Sequence, residues 1–135
     1  MALFVDTSVW SLALRRDAEA DVPEVRALKN ALTEGWQIVT TGLVLQELLQ
    51  GFSGPKSNAD IIDRFTAVPF IAPDRADHIA AANLRNTCRR SGVQVGTVDA
   101  ILAQLCIRHQ MILLSTDNDF RNMARHIELK VWTAS

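Results

Sequence analysis

The feature that most constrains this chain is a series of short, continuously apolar runs, each ending in a polar corner that leads toward a stretch of helical periodicity. Leu3-Phe4-Val5 gives way to Asp6-Thr7-Ser8, after which Val9, Trp10, Leu12 and Ala13 recur at helical spacing. Gln37–Thr40 leads the same way into a helix over Leu43–Gln50, with Thr41 as its N-cap and Gly51 as its stop. Met111–Leu114 ends in Ser115-Thr116-Asp117, ahead of a short helix from Phe120 to Arg125. Strands that are apolar at every position are buried on both faces, and strands separated by helices pair in parallel. The pattern predicts an α/β fold of three layers, a parallel sheet flanked by helices.

The remaining elements follow from turn and cap chemistry. Pro23 and Glu24 open a helix that Gly35 closes, and Pro73-Asp74 opens a long one that runs to about Ser91 and stops at Gly92. Ile61, Ile62 and Phe65 mark a short helix between them, and Thr97 caps a helix with Val98, Ile101, Leu102, Leu105 and Cys106 on its apolar stripe. Val68–Ala72 and Leu129–Trp132 read as further strands, the former carrying Pro69 near its start. The chain has 135 residues, a length that predicts one domain over residues 1–135. No apolar run approaches the roughly 18 residues a membrane helix needs, and no cleavable leader is legible, so a cytoplasmic protein without membrane contact is expected. Cys88 and Cys106 lack any metal-binding spacing and read as buried, inert thiols.

Acids stand at the polar corners. Asp6 follows the first strand, and Asp117 follows the fourth with Asp119 close behind. In open parallel sheets, ligands bind beyond the carboxyl ends of the strands, at the point where the winding direction reverses. Asp99 falls in the first turn of the Thr97 helix, where the helix dipole favours an ionised side chain. Glu47 lies on the narrow polar strip of an otherwise apolar helix, between Gln46 and Gln50. Singly, each acid has an ordinary use as a cap, a dipole partner or a solvated side chain. Together they predict one acidic crevice.

Such a crevice has an electrostatic consequence. Two carboxylates about 5 Å apart repel by roughly 3 kcal/mol at an effective dielectric of about 20, so a group of them requires protons or a cation. An all-oxygen donor set selects a hard ion, Mg²⁺ or Mn²⁺. The hydroxyls of Thr7, Ser8 and Thr116 stand ready to orient the carboxylates or hold water. Ions of this kind activate water and stabilise a phosphodiester under attack. No histidine is called for: His78, His109 and His126 read as structural or surface residues within helices.

Net charge is −1, which excludes a uniformly basic nucleic-acid binder, yet eleven of the fourteen basic residues are arginine. Arginine's planar fork suits phosphate. Arg15, Arg16, Arg85 and Arg89 are the candidates for contacts to a phosphate backbone.

The motifs Val5-Asp6-Thr7-Ser8, Gln46-Glu47-Leu48, Gly96-Thr97-Val98-Asp99-Ala100-Ile101-Leu102 and Ser115-Thr116-Asp117-Asn118-Asp119-Phe120 resemble, in order, the four motifs of PIN-domain ribonucleases. More narrowly, the chain resembles VapC-type toxins of bacterial toxin–antitoxin pairs, over nearly its whole length. The resemblance implies a five-stranded parallel sheet, Mg²⁺- or Mn²⁺-dependent cleavage of RNA to a 5′-phosphate and a 3′-hydroxyl, a homodimer, and inhibition by a cognate VapB-type antitoxin. Residue by residue, it places Asp6, Glu47, Asp99 and Asp117 in the catalytic quartet, with Asp6, Asp99, Asp117 and Asp119 toward the metal and Thr116 as an accompanying hydroxyl. A response-regulator switch would need a lysine after a late strand, and Lys29, Lys56 and Lys130 are not so placed. A haloacid-dehalogenase-type phosphatase would need an Asp where Ser8 stands. A non-catalytic RNA- or antitoxin-binding subunit and a metal-dependent DNase remain open alternatives.

Overall fold

A computed structural model describes residues 1–15 and 21–134. Strand β1 spans Ala2–Val5, β2 Gln37–Val39 and β3 Ile112–Leu114. The helices are α1 (Thr7–Ala13), α2 (Pro23–Thr33), α3 (Gly42–Gly51), α4 (Pro55–Phe65), α5 (Arg75–Arg90), α6 (Thr97–Arg108) and α7 (Asn118–Ala124). The sheet runs β2-β1-β3, with both pairings parallel, Leu3 registering against Ile38 on one side and Ile112 on the other. Successive strand residues point to opposite faces, yet Leu3, Phe4 and Val5 are 1%, 0% and 0% exposed. Both faces of the central strand are therefore covered, as three layers require.

Each edge of the sheet carries a further parallel contact where a strand was expected. Phe70 bridges to Thr40, and Val131 bridges to Leu113. These segments pair at one position rather than over the expected Val68–Ala72 and Leu129–Trp132, for local reasons. Thr40 accepts from Ile71 and donates to the carbonyl of Pro69, but Pro69 has no N–H to extend the ladder. On the other edge Leu113 donates to the carbonyl of Lys130 and accepts from Trp132. Strand backbone groups alternate sides, so within the three residues of β3 only Leu113 faces outward. Five parallel segments are thus present, three of them long enough to count as strands.

Around this sheet α1 packs on α2 and α3, α4 packs on α3, and α5 lies along α6. Helix α6 is buried at Ala100, Ile101, Leu102, Ala103, Leu105 and Cys106, so it packs an apolar wall between α5 and β3. Gly35 and Gly92 end α2 and α5 at φ +78° and +81°, the left-handed conformation that makes glycine an effective helix stop. Helix α6 corrects one expectation: its N-cap is Gly96, and Thr97 is its first residue, because Ala100 N–H donates to the Gly96 carbonyl. His78 lies in α5, whereas His109 is the C-cap residue of α6 and His126 follows α7, so two of the three histidines sit just outside the helices. Both cysteines are free and buried, as expected, and burial pushes both thiols up, with the charge of Asp6 adding to the effect at Cys106. Among the described residues, no helix is long and apolar enough to cross a membrane.

Candidate active site

The carboxyl ends of β1 and β3 lie side by side, because Asp6 N–H continues the ladder to the carbonyl of Leu114. That pairing brings the corner Asp6-Thr7-Ser8 against the corner Ser115-Thr116-Asp117, and hydroxyls knit them together. Ser8 and Ser115 both donate to Asp6 Oδ2, at 3.0 and 2.8 Å. Ser8 Oγ accepts from Thr116 N–H at 3.1 Å, and Ser115 Oγ accepts from Asp117 N–H at 3.0 Å.

Asp6 and Asp117 both occupy N-cap positions, but they use their carboxylates differently. Asp117 caps α7, accepting from Asp119 N–H at 2.9 Å. Asp6 makes no cap hydrogen bond. The residue is 8% exposed and its carboxylate is turned to the two serines, a position that capping does not explain.

Thr7, first residue of α1, donates to Glu47 Oε1 at 2.9 Å and so links the corner to the polar strip of α3. Asp99 reaches the same place from the first turn of α6, half-buried. Its carboxyl is pushed up to about 6, first by burial, then by the charges of Asp6, Asp117, Asp119 and Glu47. The four other candidate acids are therefore near enough to Asp99 to be felt there. Asp99, Asp117 and Asp119 each offer a carboxylate oxygen, and these atoms lie within 4.8 Å of one another. Oxygen donors so spaced suit a hard divalent cation that bridges them, and the repulsion that raises Asp99 is the force such a cation would relieve.

Ser115 joins the site as a residue that the motifs do not single out. It is 2% exposed and contacts Asp6, Ser8 and Asp117, whereas the side chain of Thr116, expected to be the orienting hydroxyl, is exposed and contributes its backbone N–H instead. Nothing local in the sequence marks Ser115, since its partners Asp6 and Ser8 lie 109 and 107 residues away.

A cleft of about 560 Å³ opens beside the acids, lined by Arg85, Arg89, Gln94, Val95, Gly96 and Asp119. Two of the candidate arginines thus border the acidic cluster. Arg15 does not: it lines a separate pocket with Phe52, Ser57 and Arg64, near the far end of α1. Arg16 lies outside the described residues.

Comparison with known proteins identifies the family and the fold. The PIN domain family model matches residues 3–126. The VapC ribonuclease Mb1587 of Mycobacterium bovis is 28% identical over 130 residues, covering 95% of this chain and 96% of the relative. Ribonuclease VapC11 of Mycobacterium tuberculosis matches with the same identity and coverage. Among solved structures, VapBC2 from Rickettsia felis, bound to a DNA fragment from their promoter, superposes with a TM-score of 0.76 at 20% identity, covering 98% of each chain. VapC20 of Mycobacterium tuberculosis, described as a toxin that cleaves the sarcin-ricin loop, gives a TM-score of 0.65 at 19% identity, covering 94% of this chain and 98% of the other. At such identities the structural likeness shows the fold.

Proposed function

This chain belongs to the PIN-domain family, and from that premise we propose that it is a divalent-metal-dependent endoribonuclease, the toxin of a toxin–antitoxin pair. The observation that carries the reading is the convergence of Asp6, Glu47, Asp117 and Asp119 on Asp99, with its carboxyl raised to about 6 by burial and by those four charges. Acids are held this close at a cost in mutual repulsion, which a site for a cation explains and a merely structural role does not. The VapC ribonucleases at 28% identity support cleavage of RNA, and the VapBC complexes among the structural neighbours support a VapB-type antitoxin as partner. In this reading residues 1–135 form one domain, and a homodimer is the working state.

Asp99, Asp117 and Asp119 would hold Mg²⁺ or Mn²⁺, each through one carboxylate oxygen. When bound, the ion supplies positive charge against the phosphodiester and lowers the pKa of a water molecule. Asp6 keeps Oδ2 locked by Ser8 and Ser115, and its other oxygen would add negative charge to the site that holds the ion. Glu47, steadied by the Thr7 hydroxyl, orients the attacking water and accepts its proton. Water would add to phosphorus as the bond to the 3′-oxygen breaks, and the departing 3′-oxygen would take a proton from solvent, leaving a 5′-phosphate and a 3′-hydroxyl. Arg89 borders the cleft that opens from the acids, a position suited to the RNA backbone.

The test is cleavage of mixed single-stranded RNA, with DNA of matching sequence in parallel. Cutting of RNA that requires Mg²⁺ or Mn²⁺, stops with EDTA and is lost in Asp99→Asn is the expected result. Metal-independent cutting, or full activity in Asp99→Asn, would overturn it. Cutting confined to DNA would reassign the substrate.

A further inference from the structure

Arg85 and Arg89 stand one helical turn apart on α5, so their side chains share a face. Both border the cleft beside the acids, but they meet it differently. The Nε–H of Arg85 donates to the carbonyl of Val95 at 2.8 Å, ten residues along the chain. Arg85 also lines the neighbouring apolar groove with His78, Ala82 and Val98, so its side chain forms the partition between groove and cleft. Arg89 lines the cleft but not the groove. It is exposed, and among the described residues neither arginine is ion-paired with the acids.

The carbonyl that Arg85 holds belongs to the connection between α5 and α6. Val95 is buried there at 6% exposure, and the next residue, Gly96, is the N-cap of α6, its carbonyl accepting the first helical bond from Ala100. Gly96 brings no side chain to fix this end of the helix. The direction in which the first turn leaves, and with it the position of Asp99 three residues on, therefore depends on how Val95 is anchored. Buried apolar contact anchors its side chain and Arg85 anchors its carbonyl. A charged donor on a carbonyl is among the stronger hydrogen bonds a backbone makes.

We propose that the two arginines divide the work of the site. Arg89, with the side-chain amide of Gln94, takes the phosphate of the nucleotide next to the scissile bond, and Arg85 is a positioning residue that holds the 91–96 connection and thereby Asp99. This rests on the nuclease reading above. Two like charges one turn apart repel, and an RNA phosphate in the cleft relieves that repulsion at Arg89 while Arg85 stays on Val95.

Three measurements separate the roles: Mn²⁺ affinity without RNA, affinity for a single-stranded RNA in EDTA over a range of salt, and amide hydrogen exchange at residues 95–97 in metal-free protein. Arg89→Ala is expected to weaken RNA binding about tenfold and flatten its salt dependence by about one ion, with Mn²⁺ affinity unchanged. Arg85→Ala is expected to weaken Mn²⁺ binding about tenfold and speed exchange at residues 95–97, leaving RNA affinity in EDTA within about twofold. Arg85→Lys, which keeps a donor, should recover part of the Mn²⁺ affinity and serves if the alanine variant fails to fold. Arg85→Ala that loses RNA affinity and keeps Mn²⁺ affinity would overturn the division, as would Arg89→Ala with unchanged RNA binding. A wild-type protein that binds no Mn²⁺ would instead sink the nuclease reading itself, and the role of Arg85 with it.

Discussion

Ser115 donates its hydroxyl to Asp6 Oδ2 at 2.8 Å, across 109 residues of sequence. The same oxygen atom of Ser115 accepts from Asp117 N–H, so one buried hydroxyl fixes the acidic corners after β1 and β3 relative to each other. Outer partners of this kind set the orientation of a metal-facing carboxylate. Ser115→Ala is expected to lower Mn²⁺ affinity and cleavage by roughly 10- to 100-fold. Ser8 still reaches Oδ2 at 3.0 Å, so the double variant Ser8→Ala/Ser115→Ala should lose more than either alone. Calorimetric Mn²⁺ titration beside circular dichroism checks this; Ser115→Ala with near-wild-type affinity would contradict it.

The raised carboxyl of Asp99 makes stability depend on pH in a direction opposite to that of most acids. Its value of about 6 in the folded protein lies above the ordinary 3.8, chiefly through burial and then through its acidic neighbours. Between those values the native state holds more protons than the unfolded chain, so this group's contribution falls as pH rises through the interval. Metal-free wild-type protein should therefore lose stability relative to Asp99→Asn on going from about pH 4 to about pH 7. Mn²⁺ affinity should fall below about pH 6, where Asp99 takes up a proton. Thermal melts of both proteins in EDTA at the two ends of the range provide the comparison. A difference that does not change with pH would refute the assignment.

Asp117 and Asp119 allow the cation to be tested without disturbing the fold. Asp117 caps α7 through its side chain, and asparagine caps about as well as aspartate, so Asp117→Asn keeps the helix while removing charge. Mg²⁺ bound only by the native state should raise the melting temperature, by an amount equivalent to about 2.7 kcal/mol at a hundred times its dissociation constant. The rise should be abolished in Asp117→Asn/Asp119→Asn. An unaltered rise in the double variant would place the ion elsewhere.

What could be read from the sequence, and what could not, follows from how local each determinant is. The run Leu3-Phe4-Val5 is buried on every residue, and that alone implied a sheet covered on both faces. Gly35 and Gly92 marked helix ends because no other residue enters the left-handed region so freely. Asp6, Asp99, Asp117 and Asp119 were visible because each follows a strand or opens a helix, and Glu47 because it interrupts an otherwise apolar helix. The extent of the outer strands was not, because it depends on which backbone groups a three-residue neighbour turns outward. Ser115 escaped because its partners, Asp6 and Ser8, are distant in sequence and become neighbours only when β1 and β3 pair. Arg85 was read by residue type as a phosphate contact, while the bond that distinguishes it from Arg89 depends on where the Val95 carbonyl points.

Asp77 carries the last prediction, and it concerns the tie between α5 and α6. It is fully buried near the start of α5, where it completes a capping box: Asp74 accepts from Asp77 N–H at 2.9 Å, and Asp77 accepts from Asp74 N–H at 3.0 Å. From α6, Gln104 reaches its Oδ1 at 3.3 Å and Arg108 at 2.9 Å. Burial by itself would raise this carboxyl, but the bonds from Asp74 and Gln104 and the charge of Arg108 outweigh it and hold the group below its ordinary value. A depressed acid contributes stability above its unfolded value and loses it as pH falls through the folded one, the reverse of Asp99. Asp77→Ala removes the cap and the tie between α5 and α6 together, and should cost about 2 kcal/mol in urea unfolding near neutral pH. The loss should shrink on acidification, because the wild-type protein gives up the same contribution as Asp77 is protonated. Since Asp77 lies among neither the acids of the crevice nor the residues of the cleft, cleavage per folded molecule should be unchanged in the variant. A large fall in specific activity with stability intact would mean that the α5–α6 pairing sets the site as well as supporting it.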